Sequence, residues 1–248
     1  MKCEFFSLSD AGRVRDNNED SVLVVPEAGL AVLADGMGGY NAGEVASQMA
    51  TQWVARGMLS QEGEYSVDPR QRLKRSVEQA NLAIYEASLS RPDWRGMGTT
   101  LVAILFQGAR LTVCHVGDSR LYRLRQGLLA PLTRDHSVLQ QEIDAGLVSE
   151  AWAHLAPHRN LVTRAVGVAP QVLVEMGEHV VQPGDTYLLC SDGLNDMLTD
   201  PEIACVLKRE AGIACAGHAL LDAANEAGGR DNISLVLVQC TPAQRSFS

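Results

Sequence analysis

Leu30-Ala31-Val32-Leu33-Ala34-Asp35-Gly36-Met37-Gly38-Gly39 is the stretch on which the reading of this chain turns. An apolar run of strand length delivers an acid, and the glycines after it mark the place where the strand leaves the core. A carboxylate at the rim of a buried strand is costly unless its charge is compensated. The arrangement recurs. Val113-Cys114-His115-Val116 leads into Gly117-Asp118-Ser119-Arg120, and Tyr187-Leu188-Leu189-Cys190-Ser191 leads into Asp192-Gly193-Leu194-Asn195-Asp196. Gly228-Gly229-Arg230-Asp231-Asn232 instead precedes its strand, Ile233 to Val238. A single Asp-Gly is ordinarily a plain turn. Four acid-bearing rims, if they converge, would raise one another's pKa values unless cations sit between them. An all-oxygen cluster suits Mg²⁺ or Mn²⁺, whereas zinc would want His and Cys.

Outward from these rims the chain alternates in blocks. Ser21 to Val25 and Leu30 to Ala34 read as a hairpin across Pro26-Glu27-Ala28-Gly29. Asn41 with Glu44 suggests a capping box for a helix reaching about Leu59, and Asp68-Pro69 opens a second helix. In that helix Leu73, Val77, Ala80 and Ile84 fall on one face. Gln61 to Pro69 between the two reads as a surface loop. Strands are expected over Thr99–Phe106, Arg110–Val116, Ser119–Leu124, Val172–Val180, Thr186–Cys190 and Ile233–Cys240. Helices are expected over Asp135–Ala145, Ser149–His154, after the capping box Thr199-Asp200-Pro201-Glu202, and over about Ala214–Ala227. Strands in runs and helices in pairs predict an α+β protein, sheet packed on sheet with helix pairs outside.

The chain has 248 residues, 46% hydrophobic and 21% charged, an ordinary globular composition that excludes a disordered or fibrous chain. With 21 Lys and Arg against 30 Asp and Glu, its net charge of −9 makes it a poor partner for nucleic acid or an anionic membrane. No apolar run approaches the ~18 residues of a membrane span, and the start does not resemble a secretory signal. The six cysteines are scattered, with no paired spacing, and read as small buried hydrophobes in a reducing compartment. A cytoplasmic monomer is expected.

Arg13-Val14-Arg15-Asp16-Asn17-Asn18-Glu19-Asp20 reads on spacing alone as a solvated charged loop. Beside a metal cluster Arg15 becomes a candidate phosphate clamp, since guanidinium binds phosphate oxygens bidentately. Glu19 and Asp20 could then hold metal-bound waters.

Together, Arg15…Asn18-Glu19-Asp20, Ala34-Asp35-Gly36-Met37-Gly38-Gly39, Gly96-Met97-Gly98-Thr99-Thr100, Val116-Gly117-Asp118-Ser119-Arg120, Asp135-His136-Ser137, Ser191-Asp192-Gly193-Leu194 and Gly229-Arg230-Asp231-Asn232-Ile233-Ser234 resemble the metal-dependent protein phosphatases (PPM, type 2C), most of all their bacterial serine/threonine branch. The motifs run in order over about Ser7 to Val238.

The resemblance implies a four-layer αββα sandwich, two central antiparallel β-sheets flanked by paired helices. It implies one catalytic domain over residues 1–240, a flap over about 137–160 and a tail over 241–248. It further implies hydrolysis of phosphoserine and phosphothreonine on proteins by direct attack of a metal-bridging hydroxide, reversing a bacterial Ser/Thr kinase. Asp35 would bridge two core Mn²⁺ or Mg²⁺ ions, the Gly36 carbonyl would bind one, and Asp192 and Asp231 the other. Asp118 matches the residue that helps hold a third, weaker metal, together with Asp192. Arg15 matches the phosphate-binding arginine, and Glu19 and Asp20 the outer-shell acids. Phosphorylated proteins are the implied partners, among them a cognate Hanks-type kinase and forkhead-associated proteins.

Eukaryotic members carry His, a proposed general acid, where this chain has Met37. His115 reads as a core residue, and His136 lies in a family motif with no derivable proton-transfer role. Trp152 to His158 departs from the usual flap pattern, either as loop variation or as substrate selection. A catalytically silent binding module is the alternative from another class, and retention of every metal Asp argues against it.

Overall fold

Along the central strands successive side chains point to opposite faces, which sorts the apolar residues into three layers. In the strand Leu30–Met37, Leu30, Val32 and Ala34 pack towards helices while Ala31 and Leu33 face a second sheet. In the strand Ile233–Thr241, Ile233, Leu235 and Leu237 pack towards another set of helices, and Val236, Val238 and Cys240 face the first sheet. The computed structural model describes residues 1–39, 42–60, 68–149 and 160–242. In chain order the strands are β1 (Lys2–Asp10), β2 (Asp20–Val25), β3 (Leu30–Met37), β4 (Gly98–Thr99), β5 (Leu101–Gln107), β6 (Arg110–Val116), β7 (Arg120–Arg125), β8 (Leu128–Pro131), β9 (Glu175–Val180), β10 (Thr186–Cys190) and β11 (Ile233–Thr241). The helices are α1 (Ala42–Leu59), α2 (Pro69–Ser90), α3 (Val138–Asp144), α4 (Asp192–Asn195), α5 (Asp200–Arg209) and α6 (Ile213–Glu226).

One sheet has the order β1-β11-β10-β7-β8 and the other β2-β3-β5-β6-β9, with β4 paired to β3. Every pairing is antiparallel. The sheets meet through Leu33, Val102, Ile104, Tyr187, Leu189 and Val236. Helices α1 and α2 cover the outer face of one sheet, and α4, α5 and α6 cover the other, giving the expected αββα sandwich. Leu73, Val77, Ala80 and Ile84 form the fully buried stripe of α2. That helix starts where Asp68 accepts from the Arg70 N–H at 3.2 Å, with Pro69 at its first position. The Thr199–Glu202 capping box opens α5. No described helix is long and apolar enough to cross a membrane.

Several boundaries differ from the sequence reading. β1, along the sheet edge, was not expected, because Lys2–Asp10 mixes exposed and half-buried residues and lacks a continuous apolar run. The short β8 was also unexpected. The strand expected over Thr99–Phe106 is broken at Thr100, whose N–H turns to the Asp35 carbonyl (2.8 Å). The helix expected from Asp135 starts at Val138, because Ser137 caps it through the Gln140 N–H (3.1 Å) while Asp135 and His136 bond elsewhere. The strand expected from Val172 begins at Glu175. The Asn41 cap, residues 61–67 of the expected loop, residues 150–154 of the expected helix, Trp152–His158 and residues 243–248 of the tail lie outside the described residues.

Ile84 is fully buried under the sheet, and a Cβ at Gly167 would collide with its side chain, so this contact is close-packed. Ile84→Ala is expected to lower the unfolding free energy by roughly 2–5 kcal/mol, read as a lower urea midpoint at unchanged slope.

Candidate metal centre

The alternation that buries Ala31 and Leu33 between the sheets turns the next residue of that row, Asp35, into the same gap at its rim. Asp20 stands directly opposite Asp35 in the β2–β3 register. Like charges so placed, with Cβ atoms ~4.5–5.5 Å apart, destabilise a sheet. Asp118 follows β6, Asp192 opens α4 just beyond β10, and Asp231 immediately precedes the Asn232 that leads into β11. These acids surround a cleft of about 300 Å³ whose lining includes Arg15, Glu19, Asp35, Gly36, Met37, Asp118, Asp192 and Asp231. Asp20 lies behind it, its Oδ2 accepting from the Ser191 hydroxyl at 2.8 Å. The structure therefore brings Arg15, Glu19, Asp35, Gly36, Asp118, Asp192 and Asp231 to one cleft with Asp20 behind it, whereas His115 and His136 are not among its described lining residues.

Electrostatics in the cluster are dominated by burial, with mutual repulsion second. Asp35 is raised well above its ordinary value by burial and then by Asp20, Asp192, Asp118 and Asp231. Asp192 is raised well above it too, by burial and then by Asp118, Asp196, Asp231 and Asp20. Asp118 is pushed up to about 7, by burial and then by Asp135. Asp20 is pushed up to about 6 by burial, against the opposing hydrogen bonds from Ser234 and Ser191. Burial also raises Glu19. Asp192 Oδ1 is buried and has no hydrogen-bond partner among the described residues. Converging carboxylates, two of them (Asp20 and Asp192) with an orphaned Oδ1, fit hard divalent cations.

Arg15 donates to Asp231 at 2.7 Å, and its side chain is 54% exposed. It is the one cationic side chain among the described residues lining the cleft.

Uncharged groups hold the acids in place, and most of these roles were not read from the sequence. Thr99 and Thr100 clamp the Asp35 backbone: the Asp35 carbonyl accepts from Thr99 Oγ1 at 2.8 Å, and the Asp35 N–H donates to Thr100 Oγ1 at 3.1 Å. Asn232 accepts from the Glu19 N–H at 2.8 Å and donates to the carbonyls of Asn17 (2.8 Å) and Ala11 (3.1 Å). It thereby ties the Arg15–Asp20 segment to the start of β11. His136 Nδ1 accepts from the Gly117 N–H (3.1 Å), and the His136 backbone N–H donates to the Gly117 carbonyl (2.9 Å), fixing the turn before Asp118. His115 stacks on His136 at 4.7 Å, buried as expected. A Cβ at Gly36 would strike the carbonyls of Gly43 and Glu19, so only glycine lets the end of β3 pass between them. Their signal was present in the family motifs, but the partners come from distant segments.

Comparison with known proteins agrees with this geometry. The family model described as "Protein phosphatase 2C" matches residues 12–226. The serine/threonine protein phosphatase PstP of Mycobacterium tuberculosis is 43% identical over 230 residues, covering 92% of this chain and 43% of the relative. The serine/threonine phosphatase stp of Listeria monocytogenes is 35% identical over 243 residues, covering 96% of each. The solved structure of the PstP catalytic domain in complex with 2 manganese ions superposes with a TM-score of 0.87 at 39% identity, covering 97% of this chain and 99% of that one. The fold is the one these phosphatases share. The chain belongs to the protein phosphatase 2C family, and it spans 43% of the length of PstP.

Crowding of buried acids makes a testable statement about stability. Without divalent cations the folded chain keeps protons on Asp20 and Asp118 up to about pH 6 and 7, respectively. The unfolded chain releases them near pH ~4. Folding is then opposed increasingly as pH rises between those limits, because the folded state binds more protons. After treatment with EDTA, the thermal midpoint should fall from pH ~5 to ~7.5 relative to that of the Mn²⁺-loaded protein. A gap between the two midpoints that does not widen with pH would contradict the crowding.

Proposed function

We propose that this chain hydrolyses phosphoserine and phosphothreonine on proteins by direct attack of water, without a phosphoenzyme. The observation that carries the reading is the cleft, where among the described lining residues five acids, Glu19, Asp35, Asp118, Asp192 and Asp231, face one arginine. No His, Cys, Ser, Lys or Tyr occurs among its described lining residues. The single hydroxyl there, of Thr100, is engaged by Ser119 (2.7 Å) and by the Asp35 N–H. A site rich in cation ligands and poor in nucleophiles suits water as the attacking group.

Asp35, the Gly36 carbonyl, Asp192 and Asp231 would hold two cations. Asp118, coupled electrostatically to Asp192, is the residue for a third. Glu19 and Asp20, at the edge of and behind the cleft, are suited to orienting water around that set. Bound there, Mn²⁺ or Mg²⁺ supplies positive charge that makes hydroxide available near neutral pH. Arg15 commits one of its five N–H donors to Asp231 and keeps others for phosphoryl oxygens. Its place at the mouth orients the phosphate and offsets charge that builds on those oxygens. Met37 carries no transferable proton, so water supplies the proton to the leaving alkoxide.

Proteins phosphorylated by a cognate Hanks-type kinase, including the kinase and forkhead-associated proteins, are the proposed substrates. The names of the PstP and stp relatives support phosphoserine and phosphothreonine as the groups cleaved. Residues 1–240 act as one catalytic domain.

Turnover of p-nitrophenyl phosphate and of a phosphothreonine peptide should require added Mn²⁺ or Mg²⁺ and vanish with EDTA; metal-independent turnover would overturn the reading. Asp35→Asn and Asp192→Asn should each lower kcat/KM by about 10²-fold or more with the fold retained by circular dichroism. Arg15→Ala should raise KM by roughly 10-fold, and an unchanged KM would remove its role as a clamp.

A further inference from the structure

The edge strand β1 and the last strand β11 form one antiparallel ladder in which Cys3 stands directly opposite Cys240. Their sulfurs are 3.2 Å apart. Facing residues of an antiparallel pair have Cα atoms ~4.5–5.5 Å apart, inside the ~4.4–6.8 Å range that a disulfide accepts. Both side chains belong to the layer between the sheets, Cys240 fully buried and Cys3 half-buried. Cys114 and Cys190 are fully buried in two other layers, each beneath helices, and Cys205 and Cys215 are exposed on α5 and α6. A separation of 237 positions hides the Cys3–Cys240 pair from any reading of sequence spacing.

We propose that Cys3 and Cys240 are a built modification site, a thiol pair that hydroperoxides convert to a cross-strand disulfide joining the first strand to the last. Cys3 is the residue to react first, because it is the one that solvent reaches. The Cys240 S–H hydrogen bond pulls the Cys3 thiol below its ordinary value, outweighing burial, while the same hydrogen bond pushes Cys240 up. The Cys3 thiolate attacks one peroxide oxygen, the O–O bond breaks, and Cys3 becomes a sulfenic acid as hydroxide leaves. The Cys240 sulfur then attacks the Cys3 sulfur, the S–O bond breaks, and a second hydroxide departs. The two hydroxides take up the two thiol protons. The balance is two thiols and one hydrogen peroxide to one disulfide and two waters.

The pair sits at the end of β11 remote from Asp231, about 25–30 Å along the strand at ~3.3 Å per residue. Its chemistry can therefore be read without any phosphatase assay. Reduced protein exposed to a few equivalents of hydrogen peroxide should lose two hydrogens in mass and two titratable thiols. Non-reducing peptide mapping should join the Cys3 and Cys240 peptides. Cys3→Ser, at the half-buried position, should abolish that link, while Cys205→Ser and Cys215→Ser should retain it. The linked form should melt ~5 °C or more above the reduced form, since the bond closes nearly the whole chain into a loop. Cys3 and Cys240 left unlinked, over-oxidised singly, or paired elsewhere would overturn the assignment. An unchanged or lower melting point in the linked form would overturn the claim that the fold is built to accept the bond.

Discussion

Charge repulsion among buried carboxylates is the constraint around which this fold is arranged, and the molecule contains its own contrast. Asp185 is completely buried, yet Arg125 grips both its oxygens at 2.7 Å, the Gln182 N–H donates at 2.7 Å, and the Tyr187 hydroxyl at 3.0 Å. Burial pushes its carboxyl up, but these partners outweigh burial and hold it below the ordinary range. Asp35 and Asp192, half-buried at the cleft, receive no comparable cationic partner among the described residues, so desolvation and their neighbours' charges drive them well above it. The same chain thus quenches one buried acid thoroughly and leaves a cluster of others unquenched. That difference marks the cluster as a place for cations supplied from outside the polypeptide.

What surrounds the cluster is polar but mostly uncharged. Thr99, Thr100, Asn232 and His136 bind backbone groups of the segments that carry the acids, not the carboxylates themselves. Arg120 is near enough to oppose the rise at Asp118, yet it is held bidentately by Asp135, with Nε–Oδ1 at 2.9 Å and Nη2–Oδ2 at 2.7 Å. The framework therefore fixes positions while sparing the negative charge. A site of this kind is preorganised for ligands of opposite sign, because the geometry is set before they arrive.

The parts of this arrangement visible in the sequence were those encoded locally. Leu73, Val77, Ala80 and Ile84 announce a helix face because the period is local, and Thr199 with Glu202 announces a cap for the same reason. The apolar run ending in Asp35 announces a rim. That the rims share one cleft came from resemblance, since no spacing encodes how sheets stack. β1 escaped notice because an edge strand buries little and needs no apolar run. Asn232 was quoted within a motif, but its role as a tie appears only when Ala11, Asn17 and Glu19 fold against it. The break at Thr100 likewise depends on Asp35, a residue of another strand.

The β1–β11 ladder connects the two ends of the sandwich. Its register runs from Lys2 opposite Thr241 to Asp10 opposite Ile233. Just beyond the second end, the Arg13 N–H donates to the Gly229 carbonyl at 2.7 Å, and Gly12, at φ +79°, packs so closely on the Asp231 carbonyl that a Cβ would collide with it. A slip of one residue would turn every side chain of β1 to the opposite face. It would also carry Arg15 away from Asp231 and Cys3 away from Cys240. The register that joins the sulfurs at one end is therefore the register that seats the guanidinium at the other. Any bond that fixes it at the sulfur end acts on the same ladder that positions Arg15 in the cleft.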